Sequence, residues 1–173
     1  MGRMETWDAI RARRNTRHYS DRPIDVEDLD RIAEAGRRAP SSMNEQPWDF
    51  IIVTERERLL QMADLWQYGS HIGGAAAAVA FLSPTSTDPE AREIFAFDLG
   101  QAAMSMMVTA ADLGIGSCHS SIGDQEAARS VLGFPDDREC MVLLSLGYPT
   151  TPLAPIEHPD RRPSTDVVHR ERW

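Results

Sequence analysis

Apolar positions along this chain recur at helical spacing in some stretches and in short unbroken runs in others, a pattern that predicts helices interleaved with buried strands. Thr6 to Arg13 predicts a short helix whose apolar edge carries Trp7, Ala9 and Ile10. Asp25 stands as an N-cap before Val26, Leu29, Ile32, Ala33 and Gly36, a helical series that Pro40 ends. Four large apolar residues in a row, Phe50 to Val53, predict a strand buried on both faces. An amphipathic helix is expected over Glu55 to Trp66, with Leu59, Leu60, Met62, Ala63 and Trp66 inward. Ala76 to Leu82 and Cys140 to Leu146 predict two further buried strands. Between them runs the longest helical pattern, about Pro89 to Leu113, with apolar residues on more than one face. A helix of that kind needs cover on several sides. It is expected to be a central core helix that also meets a partner subunit, with Gly100, Ala102, Ala103 and Ser105 permitting close approach; a well-wrapped monomer is the alternative.

The joints between these elements are polar. Gly114 and Gly116 are placed as left-handed caps, Ser117 to Gly123 as a small polar loop, and Asp124 as the cap of a helix carrying Ala127, Ala128, Val131 and Leu132. Gln67 to Gly74 is Gly-punctuated; its Gln67, Tyr68 and His71 either line a pocket or sit on the surface. Ser83 to Pro89 predicts a plain loop. After Gly147-Tyr148-Pro149, prolines at 152, 155, 159 and 163 forbid an ordinary helix or central strand. Leu153, Ile156, Val167, Val168 and Trp173 are the apolar anchors expected to lay this tail over another surface as an arm.

At 173 residues, one domain is expected. A net charge of −9 and a pI near 5.0 argue against a general nucleic-acid or membrane surface. No apolar stretch is expected to span a bilayer, the run near Ala75 to Leu82 being far too short. Cys118 and Cys140 are too far apart for a Cys-x-x-Cys pair and follow no secretory leader, so structural thiols and a cytoplasmic setting are expected. Basic residues concentrate where the acids do not: Arg11, Arg13, Arg14 and Arg17 near the start, and Arg161 with Arg162 near the end. The turn Arg13-Arg14-Asn15-Thr16-Arg17 suits an anionic group through bidentate hydrogen bonds, or is simply a solvated basic face. The loop from Arg37 to Trp48 offers Ser41, Ser42 and Asn44, neutral groups that suit a flat polar heteroaromatic ring or else satisfy an ordinary helix-to-strand turn. There is no P-loop, dinucleotide fingerprint, Gly-x-Ser-x-Gly elbow or metal-ligand spacing, which leaves the chemistry to a bound cofactor.

The run Arg13-Arg14-Asn15-Thr16-Arg17-His18-Tyr19, then Ala39-Pro40-Ser41-Ser42-Met43-Asn44-Glu45-Gln46-Pro47-Trp48, resembles the two N-terminal signatures of the nitroreductase family of FMN-dependent oxidoreductases. Asp98 to Ala103, Leu113 to Ser117, Leu146 to Pro149 and Arg161-Arg162-Pro163 resemble later blocks of that family in the same order. The resemblance implies an α+β fold: a mixed, mainly antiparallel sheet flanked by helices, in an intertwined homodimer with a C-terminal arm. Residues 1–149 would form the FMN-binding core and 150–173 the arm of the same domain. It implies FMN bound by Arg13, Arg14, Asn15 and Arg17 of one subunit, with Arg13 and Asn15 near the phosphate and Arg17 nearer the ring. Arg162 would close on the phosphate, Pro40, Ser41, Ser42 and Asn44 would come from the other subunit, and Ser121, Ile122 and Gly123 would approach the ring edge. Asn15 and Ser105 stand where relatives usually carry Ser and often Asn, and the short stretch from Gln67 to Phe97 leaves little room for a lid. The activity implied is hydride transfer from NADH or NADPH through flavin N5 to a nitroaromatic, quinone or similar small acceptor, with Arg17 stabilising the reduced flavin. The alternatives are a relative specialised for a flavin, a halogenated aromatic or a dehydrogenated metabolite, and a non-catalytic flavin carrier or sensor.

Overall fold

The computed structural model describes residues 4–173. Four strands form one antiparallel sheet in the order β1-β2-β4-β3: β1 Asp49–Val53, β2 Ala77–Pro84, β3 Gly116–Ser120 and β4 Arg138–Gly147. The parallel pairing that makes the sheet mixed is a single bridge between Asn15 and Ser117. Alternation along β2 sends Ala77, Val79 and Phe81 to one face and Ala78, Ala80 and Leu82 to the other, and each face carries its own core. Over the first lie α2 (Val26–Arg37) and α5 (Pro89–Asp112), with α1 (Thr6–Ala12) packed on α5. Residues of α3 (Arg56–Ala63), α4 (Ser70–Gly73) and α6 (Gln125–Leu132) fill the second.

The register of β4 contains an irregularity that keeps both faces apolar. Phe81 pairs with Val142 but Leu82 pairs with Cys140, so Met141 is left over. That extra residue lets Cys140 and Leu143, three apart, share one core. The side chain of Gln125 closes the bulge, its Nε2 donating to the Cys140 carbonyl at 2.6 Å and its Oε1 accepting from the Cys140 amide at 2.9 Å.

Several expectations change. Phe50 to Val53 is an edge strand in which Val53 alone is buried, because β1 has a neighbour on one side only. In α1 the buried residues are Ala9 and Ala12, while Trp7 and Ile10 are exposed; helix α1 lies close to α5 on its small side chains. Asp25 sits at the N-cap with its backbone carbonyl, not its side chain, accepting from Asp28 and Leu29. Gly114 is left-handed, but Gly116 opens β3, and Ser117 to Ser120 form a strand where a loop was expected. Ser83 and Pro84 end β2. Helix α5, 24 residues long, is long and apolar enough to cross a membrane, which corrects the expectation that no segment is; here it is wrapped by the sheet, α1 and α2. Within the chain Gly36 of α2 closes on α5 and Gly100 faces open space, which leaves the expected approach of a partner subunit where it stood. In the tail Leu153 and Ile156 are partly covered, but Val167, Val168 and Trp173 are exposed.

Gly36 gives a direct test of this packing. A Cβ there would lie 2.2 Å from Met106 Cε and 3.0 Å from its Cγ, and Met106 is fully buried. Gly36→Val should overpack the α2–α5 contact and cost about 1–3 kcal/mol, read as a lower urea midpoint at unchanged slope. A midpoint equal to that of the parent protein would show that the contact is loose.

Candidate functional site

Helix α1 stops at Ala12 because the chain turns extended at Arg13. The next residues run across one end of the sheet. The Thr16 amide donates to the Ser117 carbonyl at 2.8 Å, Asn15 bridges Ser117, and Tyr19 bridges Pro149 just beyond β4. The Ser20 amide donates to the Tyr148 carbonyl at 2.9 Å. Two glycines make room for this crossing: a Cβ on Gly116 would sit 2.8 Å from the Thr16 side chain, and one on Gly147 would sit 2.7 Å from Tyr19 Cδ1. Arg13 is half-buried and donates to Asn15 Oδ1 at 3.4 Å, while Arg17 is exposed. Among the described residues neither guanidinium meets a carboxylate, although nearby arginines do: Arg11 pairs with Asp8, and Arg31 with Asp112. Arg14 is committed elsewhere, to the carbonyls of Ala154 at 3.0 Å and Pro152 at 3.2 Å, where it holds the tail.

Beneath Arg17 lies a buried polar group of side chains. Tyr19 Oη donates to the Thr16 carbonyl and lies 2.7 Å from Ser145 Oγ, which lies 2.8 Å from His71 Nδ1 and 3.1 Å from the Cys118 carbonyl. His71 is 6% exposed. Burial above all, then the nearby charge of Arg17 and of His119, holds its pKa below the ordinary value. Burial likewise raises the Tyr19 hydroxyl and the Cys118 thiol, and pushes the Cys140 thiol up to about 12. The two cysteines are thus buried, protonated and inert.

The second cluster is the loop after α2. Pro40 ends the helix and Ser42–Asn44 makes one 3-10 turn, in which Met43 (φ 49°) and Asn44 (φ 59°) are left-handed, as is Gln46 (φ 53°) beyond it. A non-glycine residue held there costs roughly 1–2 kcal/mol, so something must hold the loop. The anchor is Asp98, fully buried in α5, whose two oxygens accept from the Ser42 amide at 3.1 and 3.0 Å. Gln101 Nε2 donates to the same carboxylate at 3.4 Å, and Ser41 Oγ accepts from the Gln46 amide at 3.0 Å. The Asn44 carboxamide stays exposed, with no hydrogen bond among the described residues. Pro40, Ser41 and Ser42 then line a cavity of about 560 Å³ with Ile94, Phe97 and Asp98. It adjoins an open apolar groove of about 760 Å³ along α5, which Ile10, Phe97, Gly100 and Met104 also line. Ser105 faces that groove and spends its hydroxyl on the Gln101 carbonyl at 2.9 Å.

The third piece is the loop Ser121–Gly123. The Gly123 amide donates to the Leu65 carbonyl at 3.0 Å, and a Cβ there would meet Trp66 Cε3 at 2.7 Å, so this loop is pressed against the end of α3. Trp66 in turn meets the exposed ring of Tyr68 edge-on at 6.1 Å. Arg162 donates to the Asp166 carbonyl at 2.9 Å, within the tail, rather than to the Arg13 segment. Among the described residues no His, Cys, Asp and Glu cluster could hold a metal ion.

Within one chain the structure therefore joins Arg13, Asn15 and Arg17 to β3, and joins Pro40 to Asn44 to α5, but it does not join these two groups to each other. Asp98 lies 14 residues before the end of α5, and at 1.5 Å per residue roughly 20 Å of helix separates the loop's anchor from the turn leading into Gly116. Neither Asp98 as an anchor nor Ser145 had a role in the sequence reading, and Tyr19 stood there only as the last residue of a signature run. A signal for Asp98 existed: it is the one charged residue between Ile94 and Ala111.

Comparison with known proteins bears on the family and the fold. The sequence profile of the Nitroreductase family matches residues 10–68 and 63–148. A protein of Archaeoglobus fulgidus with the provisional name NADH dehydrogenase/NAD(P)H nitroreductase is 35% identical over 168 residues, covering 95% of this chain and 96% of its own. A Bacillus subtilis protein named FMN reductase is 29% identical over 92% of this chain and 71% of its own. A crystal structure from Parabacteroides distasonis, which carries the same provisional name as the archaeal protein, superposes with a TM-score of 0.81 at 27% identity, covering 95% of this chain and 96% of that one. With an antiparallel sheet between two helical layers, a family profile matched from residue 10 to residue 148 and a relative 35% identical over nearly its whole length, the chain belongs to the nitroreductase family.

Proposed function

We propose that the protein is an FMN-dependent oxidoreductase that takes reducing equivalents from NADH or NADPH and delivers them to a small acceptor such as a nitroaromatic or a quinone. The observation that carries this reading is that Arg13 and Arg17, on one segment bridged to the sheet, meet no carboxylate among the described residues in a chain of net charge −9. The donor set fits the cofactor. Cations with free donors suit a terminal phosphate, and a rigid loop offering the Ser41 hydroxyl, the Asn44 carboxamide and main-chain groups suits the edge of a polar ring. Relatives named FMN reductase and NADPH-flavin oxidoreductase support the same assignment.

FMN, when bound, would supply two-electron redox chemistry between the nicotinamide and the acceptor. The residues of the chain bind and position. Arg13 and Asn15, with Arg162 from the tail, hold the phosphate; Pro40, Ser41, Ser42 and Asn44 hold the ring; Ser121, Ile122 and Gly123 border it. Arg17 places a fixed positive charge where reduction adds negative charge, which favours the reduced state over the oxidised one. Arg14 serves this site indirectly, through its grip on the tail. The roughly 20 Å of α5 between the two clusters supports a homodimer in which each site takes the arginines of one subunit and the loop of the other. The apolar groove along α5 supports the same dimer, and the two buried thiols support a cytoplasmic setting.

Three outcomes test the proposal. The purified protein should be yellow and release FMN, not FAD, on denaturation, and Arg13→Ala should weaken FMN binding about 10- to 150-fold, the equivalent of 1.5–3 kcal/mol for hydrogen bonds to a charged group. A colourless protein that takes up no FMN on titration would sink the reading. Heterodimers made from Arg13→Ala and Asn44→Ala chains should regain one intact site, since one interface collects both lesions and the other neither. Activity that stays absent in confirmed heterodimers would exclude a shared site. Finally, Arg17→Gln should lower the flavin midpoint by roughly 20–65 mV, the equivalent of about 1–3 kcal/mol. An unmoved midpoint in a fully loaded variant removes Arg17 from the mechanism.

A further inference from the structure

Among the described residues the Arg17 side chain makes no hydrogen bond or ion pair, yet a stabilising charge works only if it is held where the new charge develops. The main chain on either side of it, by contrast, is tied down unusually well. Gly116 and Gly147 are register partners at the end of β3 and β4, and they are also the two glycines whose missing side chains admit Thr16 and Tyr19. The segment thus sits across a paired notch in the sheet. Its amides at Thr16 and Ser20 donate to carbonyls on opposite sides of that notch, Ser117 and Tyr148. Tyr19 then folds back and donates to the Thr16 carbonyl, which belongs to the peptide group leading into Arg17.

We propose that this glycine notch, with the buried chain of hydrogen bonds Thr16–Tyr19–Ser145–His71, is a docking seat for the Arg13–Tyr19 segment, and that Tyr19, Ser145 and His71 are positioning residues for Arg17. The proposal rests on the flavin role given to Arg17 above. Counting protons shows how the seat works. Ser145 Oγ has one proton and three polar neighbours: Tyr19 Oη, His71 Nδ1 and the Cys118 carbonyl. With the Thr16 contact there are four contacts to serve. If His71 Nδ1 were an acceptor, the Tyr19 and Ser145 protons would serve two of them. If Nδ1 carries the proton, it donates to Ser145, Ser145 donates onward, Tyr19 donates to Thr16, and three are served. Burial makes an unserved polar group costly, so the seat selects neutral His71 in its Nδ1–H form. Burial and the positive charge of Arg17 disfavour the imidazolium in the same place. His71 on α4 thereby reaches through the end of the sheet to the peptide beside Arg17, without touching Arg17 itself.

The test uses the full-length protein. Tyr19→Phe keeps the ring in the Gly147 notch and deletes one hydroxyl; His71→Leu removes the terminal donor, and His71→Asn restores a donor. Hydrogen exchange is read on the FMN-free protein, the midpoint potential on the FMN-loaded protein, and the His71 tautomer by ¹⁵N NMR. In Tyr19→Phe and His71→Leu the amides of Thr16 and Arg17 should exchange at least tenfold faster, with the amides of α5 unchanged. Both variants should move the flavin midpoint in the same direction as Arg17→Gln, and combining Tyr19→Phe with Arg17→Gln should move it no further than Arg17→Gln alone. His71→Asn should restore exchange and midpoint together, and the parent protein should show the Nδ1–H tautomer. The proposal is overturned if exchange in this segment is unchanged, or if exchange quickens while the midpoint stays put. A midpoint that moves in Arg17→Gln but not in Tyr19→Phe refutes the seat and leaves the flavin assignment standing. One unmoved in Arg17→Gln refutes the flavin role of Arg17, and the purpose given to the seat with it. Should Tyr19→Phe not fold, the His71 pair decides on the same readouts.

Discussion

Helix α5 sets the constraint from which the architecture follows. Between Ile94 and Ala111 it carries one charge, and its apolar residues run around the whole cylinder, so it is stable only where other elements cover it on nearly every side. The sheet covers one side through Leu99, Ala102 and Met106, α2 closes in through Gly36, and α1 lies close on small side chains. What stays uncovered is the strip with Phe97, Gly100 and Met104, the groove that the proposed dimer would fill. The same rod sets the spacing of the site. Near its start Asp98 holds one polar cluster, and just past its end the chain enters the glycine notch that holds the other.

Asp98 shows why the one charge inside this helix is tolerated. A buried carboxylate is expensive unless donors meet it, and here the donors are a main-chain amide of a strained loop and the Gln101 side chain. Two costs offset one another: the left-handed turn at Met43 and Asn44 would relax without the clamp, and the carboxylate would go unmet without the loop. The outcome is a loop whose exposed groups are fixed although almost nothing covers them.

Much of this was legible in the sequence, and the failures have a common cause. Periodicity placed α2, α5, α6 and the strands β1, β2 and β4 to within a few residues, because those patterns are local. It could not tell Phe50–Val53 from Cys140–Leu146, since both are unbroken apolar runs and only the number of neighbouring strands makes one an edge and the other a centre. Gly116 to Ser120 looked like a loop by composition; it is a strand because β4 pairs with it and the Arg13–Tyr19 segment bridges it at Ser117. In the site, the clustering of arginines was visible but their division of labour was not. Arg14 differs from Arg13 only in which carbonyls the folded tail brings within reach, and that is a fact of tertiary structure.

The division matters because the chain is acidic. Eight arginines among the described residues meet a carboxylate: Arg37 and Arg38 share Glu34, whose carboxyl they hold down to about 2, Arg92 meets Glu139, Arg138 meets Asp49 and Asp137, and Arg11, Arg31, Arg58 and Arg129 each have one partner. Arg22 lies 3.8 Å over the ring of Tyr148 instead. With 27 acids against 18 basic residues, an arginine on the surface has a partner within easy reach, and leaving one free forgoes an available, if weak, stabilisation. Among the described residues Arg13 and Arg17 meet no carboxylate, and they stand at the end of the sheet where two glycines, a half-buried tyrosine and a buried histidine fix the backbone that carries them. Here a backbone held by the sheet presents both guanidinium groups, Arg13 reaching only Asn15 Oδ1 among the described residues. That combination is what the proposed phosphate and flavin contacts would use, because a charge held in advance by the fold saves a bound anion the cost of ordering it.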